Sequence, residues 1–298
     1  MITDFFTYSS DLRDFAPQMP TDAKIESMEA HYRPQFQKII NLIGLETYNI
    51  LKDYFADPPE VPVENDLIVA DAIPYLRGAL ANLTAIPYFI FEASQRNNTE
   101  NNLYRYQEDK QIETYLENAW TELNFLLNHL EDNAEVFTEY AATDQFKLRQ
   151  TLFIKNASGF KRYYGSINSS YFFNNVIYII EEIQNEEIQP RLEAFQAITD
   201  VNMKWLIGKA IAYETLSRAC LQLDYTELPQ GLRNDISKEI NQKNGKETEI
   251  KIALSATFGN KADEYLLQIE EANNEIRNAG TYTMPQNTIT ETDKFYMP

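Results

Sequence analysis

Shifted along itself by 138 residues, the sequence repeats a pattern that helical periodicity alone does not produce. Ala72-Ile73-Pro74-Tyr75 falls on Ala210-Ile211-Ala212-Tyr213, Ala81 on Ala219 and Leu83 on Leu221. The same register places Ile112 on Ile250, Leu116 on Leu254 and Trp120 on Phe258. With two residues inserted near Gly259-Asn260, Phe125-Leu126-Leu127-Asn128 falls on Tyr265-Leu266-Leu267-Gln268, and Glu131 and Asn133 fall on Glu271 and Asn273. Amphipathic helices generate apolar coincidences, but not shared tyrosine and asparagine positions in one register across two separate segments. The expectation is an all-α chain of two tandem, duplicated helical-bundle units with long loops. The first unit covers 1–140, its repeat 141–280, and a flexible polar tail 281–298. Units of that length match ordinary domain size.

Each unit reads in the same order. An aromatic segment comes first, Phe5 to Phe15 and then Phe153 to Phe173, in a short extended or turn-like form. A helix follows in unit one behind Thr21 as N-cap, with Ile25, Met28, Tyr32, Phe36, Ile39 and Ile43 at helical spacing. Its counterpart runs over about 173–198. Gly44 interrupts the first copy and Pro58-Pro59 ends it. Next come helices from about Asn65 to Phe91 and Asp200 to Leu223, with kinks expected at Pro74 and Pro87. The last helices span about Gln111 to Asn133 and Glu249 to Arg277. The stretch 246–253 alternates polar and apolar residues, so strand and helix both fit it. Residues 132–150 read as the linker between units. Only 9 glycines among 298 residues leave little material for barrels, sandwiches or phosphate loops.

The net charge of -19 opposes a phosphate backbone, which argues against sequence-specific nucleic-acid binding. Leu67 to Phe91, the most apolar stretch, is broken by Asp71 and Arg77, so no membrane span is expected. The start, Met1-Ile2-Thr3-Asp4, lacks a basic, apolar leader, and a cytoplasmic protein is expected. Cys220 stands alone and reads as a buried small hydrophobe. His31 and His129 have Met28 and Leu126 three residues before them, so the Glu-x-x-His pattern of di-iron bundles is missing. No nucleophile elbow or phosphate-binding loop is present, and glutamate doublets diverge on a helix. No catalytic, cofactor or metal residues are therefore assigned.

The remaining signal is aromatic. Tyr163, Tyr164, Tyr171, Phe172 and Phe173 flank the polar stretch Ser166 to Ser170, and Phe295 and Tyr296 stand near the chain's end. Rings of this kind either staple a loop onto a core or form a protein interface, and these seven are the candidate interface residues. Tyr104 and Tyr106 admit the same two readings.

The aromatic start Phe153 to Phe160, the helix from Ile180-Glu181 to Pro190-Arg191-Leu192, the alanine-rich run Ala210 to Cys220 and Leu228-Pro229-Gln230-Gly231-Leu232 carry a resemblance. Together they resemble an uncharacterised family of Bacteroidetes phages and prophages, and more remotely the head-tail connector (adaptor) proteins of tailed phages. That resemblance implies a non-enzymatic helical bundle that assembles as a ring beneath the portal, in contact with itself and with portal or tail proteins. It locates the protein in the host cytoplasm and then in a virion. This chain departs from such adaptors in being duplicated and long. The competing expectations are another helical scaffold or binding protein and an enzyme of unrecognised type.

Overall fold

The structure is a computed structural model and describes residues 2–17, 19, 24–96, 105–192, 198–243 and 246–281, without side chains for 92–96, 105–109, 240–243 and 275–281. Twelve α-helices and no strand occur among the described residues, so the all-α expectation holds. The first half opens with α1 (Ser9–Arg13), α2 (Ile25–Ile43) and α3 (Leu45–Ala56), followed by the long α4 (Glu64–Arg96) and α5 (Arg105–Asp132). Three short helices come next: α6 (Thr138–Ala141), α7 (Asp144–Thr151) and α8 (Ala157–Tyr163). Then α9 (Ser170–Ile183) and α10 (Val201–Gln222) lead to α11 (Gln230–Lys243) and α12 (Glu247–Thr281).

Two antiparallel hairpins dominate, α4 on α5 and α10 on α12. Small buried residues let each pair approach closely: Ala72, Ala79 and Ala81 on α4, then Ala210, Ala212 and Ala219 on α10. α2 packs on α4 as α9 packs on α10, so the two hairpins receive their preceding helices alike. The equivalence is incomplete. Among the described residues α3 has no counterpart before α10, and α11 is inserted between the two arms of the second hairpin.

Local chemistry explains most boundaries. Gly44 adopts φ +83° between α2 and α3, where its amide donates to the Ile40 carbonyl and its carbonyl accepts from Tyr48. A side chain there would be strained. Asp200 accepts from the Met203 amide at 2.7 Å and starts α10; Ser169 does the same for Phe172 at the start of α9. α4 runs through both Pro74 and Pro87. Thr21, expected to cap α2, lies outside the described residues, and Lys24 precedes the first turn.

One open choice is settled, and two expectations need correction. The segment 246–253 is helical from Glu247: Ile250, Leu254 and Phe258, spaced four apart, turn toward α10, while Ile252 faces solvent and accounts for the alternation. The second aromatic segment is not extended, because Asn156 caps α8 by accepting from the Gly159 amide at 2.8 Å, and α9 begins before Phe173. α9 also ends early, passing into a π-turn (Gln184–Ile188) and a 3-10 turn (Gln189–Arg191) around Pro190.

The segment read as a linker contains α6 and α7 and buries Phe137, Tyr140 and Arg149. The Arg149 guanidinium, 2% exposed, pairs with Glu131 and donates to the Tyr140 hydroxyl at 2.8 Å. Buried side chains of both halves join in one contiguous hydrophobic cluster. Among the described residues, no helix is long and apolar enough to cross a membrane.

Candidate functional site

Tyr163, Tyr171, Phe172 and Phe173 are buried, so the interface expected of them is not a free surface. Tyr171 packs edge-on against Trp120 with centroids 4.7 Å apart, and Phe172 against Phe160 at 6.0 Å. Half-buried Tyr164 sits edge-on to both Tyr213 and Phe258. The physical reason is that α9 lies between α5 and α10, which cover its successive faces. These rings staple the polar loop onto the core. Phe295, Tyr296 and Tyr104 lie outside the described residues, and the Tyr106 side chain is not described.

What the staples hold in place is a polar cleft. Asn124 of α5 accepts through Oδ1 from the Ser169 hydroxyl and the Tyr171 amide, each at 3.0 Å, and so fixes the loop against the helix. The cleft, about 310 Å³, runs between α5, this loop and the start of α11. Glu117, Trp120, Asn124, Asn168, Gln230 and Arg233 are among its walls. Trp120 donates through Nε1 to the Thr226 carbonyl at 3.3 Å, tying α5 to the turn before α11.

Arg233 is the unusual group. It is 4% exposed, stacks over the Trp120 ring at 5.4 Å, and its Nε has no hydrogen-bond partner. Burial pulls its pKa down, opposed by Tyr225 and by the Glu117 and Glu113 carboxylates. An arginine nevertheless stays protonated near neutrality. Sequence reading passed over it, since one arginine in a helix looks like ordinary surface charge.

A second polar cleft, about 250 Å³, lies on the other side of the loop and is lined by Asn128, Glu131, Asn156, Asn168 and Ser170, among others. Burial raises the Glu131 pKa, while the neighbouring Arg149 pulls it down. Its chemistry is already occupied by that buried ion pair.

The histidines and the cysteine have structural partners. His129 contacts the Ile68 carbonyl through Nε2 at 2.8 Å, and His31 lies against Tyr88 and Phe91. Cys220 is buried, which pushes its thiol up to about 11. No group of three or more His, Cys, Asp or Glu side chains converges among the described residues.

The apolar surface follows the repeat register. On the first hairpin, Val63, Leu67 and Phe125 are exposed, and Phe125 packs on Tyr75 with centroids 5.5 Å apart and planes at 39°. At the shifted positions of the second hairpin, Val201 and Trp205 are exposed, and Tyr265 packs on Tyr213 at 5.6 Å and 34°. Trp205 adds an edge contact to Tyr265. Between the apolar residues stands exposed Asp71 in the first hairpin and half-buried Lys209 in the second. The Lys209 ammonium lies 5.2 Å from the Trp205 ring centre and 5.8 Å from that of Tyr213. Compared with protein families, curated proteins and solved structures, the chain matches none.

Proposed function

We propose that this chain is a non-enzymatic assembly component of a phage or prophage virion, a neck adaptor of the head-tail connector type that works through protein-protein contacts. The observation that carries the assembly part is the exposed apolar stripe that recurs at equivalent positions of both hairpins. Solvent-facing aromatic and aliphatic side chains rimmed by polar residues are what a contact surface needs. The virion part rests on the sequence resemblance. In this reading the two hairpins descend from one duplicated unit, supported by the shared register and by the matched ring pairs Tyr75–Phe125 and Tyr213–Tyr265.

The two stripes differ in charge in a way that favours copies meeting head to tail. α4 carries Glu64, Asp66, Asp71 and Glu92 against Arg77 and Arg96, whereas α10 carries Lys204, Lys209 and Arg218 against Glu214. A first-hairpin face of one copy then opposes a second-hairpin face of the next, with Asp71 near Lys209. Contacts of that heterologous kind close into rings or extend into stacks.

Light scattering over a range of concentrations tests this. The wild type is expected to exceed the monomer mass, and Trp205→Ser with Phe125→Ser to return it to the monomer without loss of folding, because both rings face solvent. A wild type that stays monomeric at all concentrations overturns the assembly reading. Portal and tail genes beside the coding gene support the virion role, and a neighbourhood without them removes it.

A further inference from the structure

Arg233 has the environment of a receptor group that lacks its ligand. A buried guanidinium with no hydrogen-bonded or ion-paired partner is costly, and Arg149 and Arg218 avoid that cost. Half-buried Arg77, its Nε also unpaired, lies over the Phe6, Phe15 and Phe55 rings, outside the cleft between α5 and α11. Arg149 uses its terminal nitrogens on Glu131 and Tyr140, and Arg218 pairs with Glu182, Glu187 and Glu214. Among the described residues Arg233 has neither an ion pair nor a side-chain hydrogen bond, yet it lines a cleft large enough for a small molecule.

The start of α11 supplies further donors on the same wall. The Arg233 amide bonds the Pro229 carbonyl, but the amides of Gln230, Gly231 and Leu232 have no acceptor within hydrogen-bonding distance among the described residues. A Cβ added at Gly231 would meet nothing within 4 Å, so this backbone is open to a ligand. The free amides of a 14-residue helix and a fork of guanidinium donors together favour an oxyanion. Asn124, whose Oδ1 is engaged, keeps its amide nitrogen as a donor.

Glu117 narrows the choice. It lines the same cleft and accepts from Gln230 Nε2 through Oε1, leaving Oε2 as an acceptor. Its negative charge disfavours a dianion such as phosphate and favours a ligand that offers a donor beside a single negative charge. We propose that the cleft between α5 and α11 binds a small carboxylate, held by Arg233 and the α11 amides, whose adjacent ammonium or hydroxyl donates to Glu117. Free amino acids and hydroxy acids share that chemistry. Trp120, under the guanidinium, forms the apolar wall.

The protein contains two tryptophans, so Trp205→Phe leaves Trp120, placed at the cleft, as the only tryptophan, and excitation at the red edge of tryptophan absorption avoids the tyrosines. Titration of that full-length variant with glycine, glycolate, acetate and inorganic phosphate is expected to give saturable quenching or enhancement with glycine or glycolate. Acetate and phosphate should bind at least about ten-fold more weakly, the worth of one charge-assisted hydrogen bond or one like-charge repulsion. Preference for glycine identifies the amino-acid class, and preference for glycolate the hydroxy-acid class. Arg233→Lys, which keeps the charge and loses the fork, should weaken binding by about ten-fold, and Glu117→Gln should weaken glycine more than glycolate. Both variants are checked for native circular dichroism. No saturable response to either favoured probe, an unchanged response in Arg233→Lys, or tightest binding of phosphate overturns the proposal.

Discussion

The two hairpins place aligned residues in one register yet use them differently. Phe258 of α12 packs inside its own half, edge-on to Tyr164 and 6.4 Å from Tyr213. Its counterpart Trp120 on α5 reaches across to Tyr171, to the Thr226 carbonyl and to Arg233. The larger ring with a donor is the joint between halves, and the smaller one is a core residue of its own half. The two aligned positions thus share their burial but not their partners, because the joint occurs only once among the described residues.

The largest effect should separate these roles. Trp120→Ala is expected to cost about 3–5 kcal/mol, as for other buried aromatics, and to lower the stability of both halves together. Phe258→Ala should cost about 3 kcal/mol, and hydrogen exchange should show the loss concentrated in α10 and α12. Equal exchange patterns for the two variants would remove the distinction between joint and core.

Glycines in the hairpins offer a sharper contrast of intermediate size. A Cβ at Gly208 would fall within the van der Waals surface of the buried Tyr163 ring, whereas at Gly78 it would come 2.8 Å from the Glu122 side chain, which can swing aside. Gly208→Ala should therefore destabilise by about 1–3 kcal/mol through overpacking. Gly78→Ala should be neutral or stabilise by up to about 1 kcal/mol through helix propensity. Urea midpoints check both, and a costly Gly78→Ala would mean that Glu122 is held more rigidly than its half-buried position suggests.

The smallest expected effect concerns Glu122 itself, which aligns with Ala262 of the second hairpin. Burial raises its pKa, so the folded state binds its proton more readily than the unfolded chain does. The associated stability is present at low pH and is lost as pH rises from the ordinary glutamate range through the raised value. Glu122→Gln should remove that part of the decline and gain less than about 1 kcal/mol at neutrality. Glu131, also raised, contributes equally to wild type and variant, so the difference between their urea midpoints from pH 4 to 7 isolates Glu122. Identical slopes would show that the side chain is solvated.

Helices were the legible part of the fold. Gly44, Pro58-Pro59 and Asp200 marked boundaries by local backbone chemistry, and residues of the 138-residue register such as Ala72, Ala81, Ala210 and Ala219 proved buried. The alternation at Ile250 and Ile252 left the choice open because a two-residue pattern cannot distinguish a strand from a helix with one exposed isoleucine. Of the candidate site, the sequence supplied the polar loop from Ser166 to Ser170 but not what surrounds it.

Sequence by itself determined the long helices α2, α4, α5, α10 and α12 and which residues share the 138-residue register, since caps, glycine, proline and apolar spacing act over a few residues, but it missed the short α6, α7 and α8. Tertiary structure alone decided that Tyr171, Phe172 and Phe173 are core staples while Phe125 and Trp205 face solvent. It also decided that Arg149 finds a carboxylate and Arg233 does not. Burial and pairing depend on which distant side chains arrive at a given point, and the local sequence around Tyr171 or Arg233 carries no record of α5.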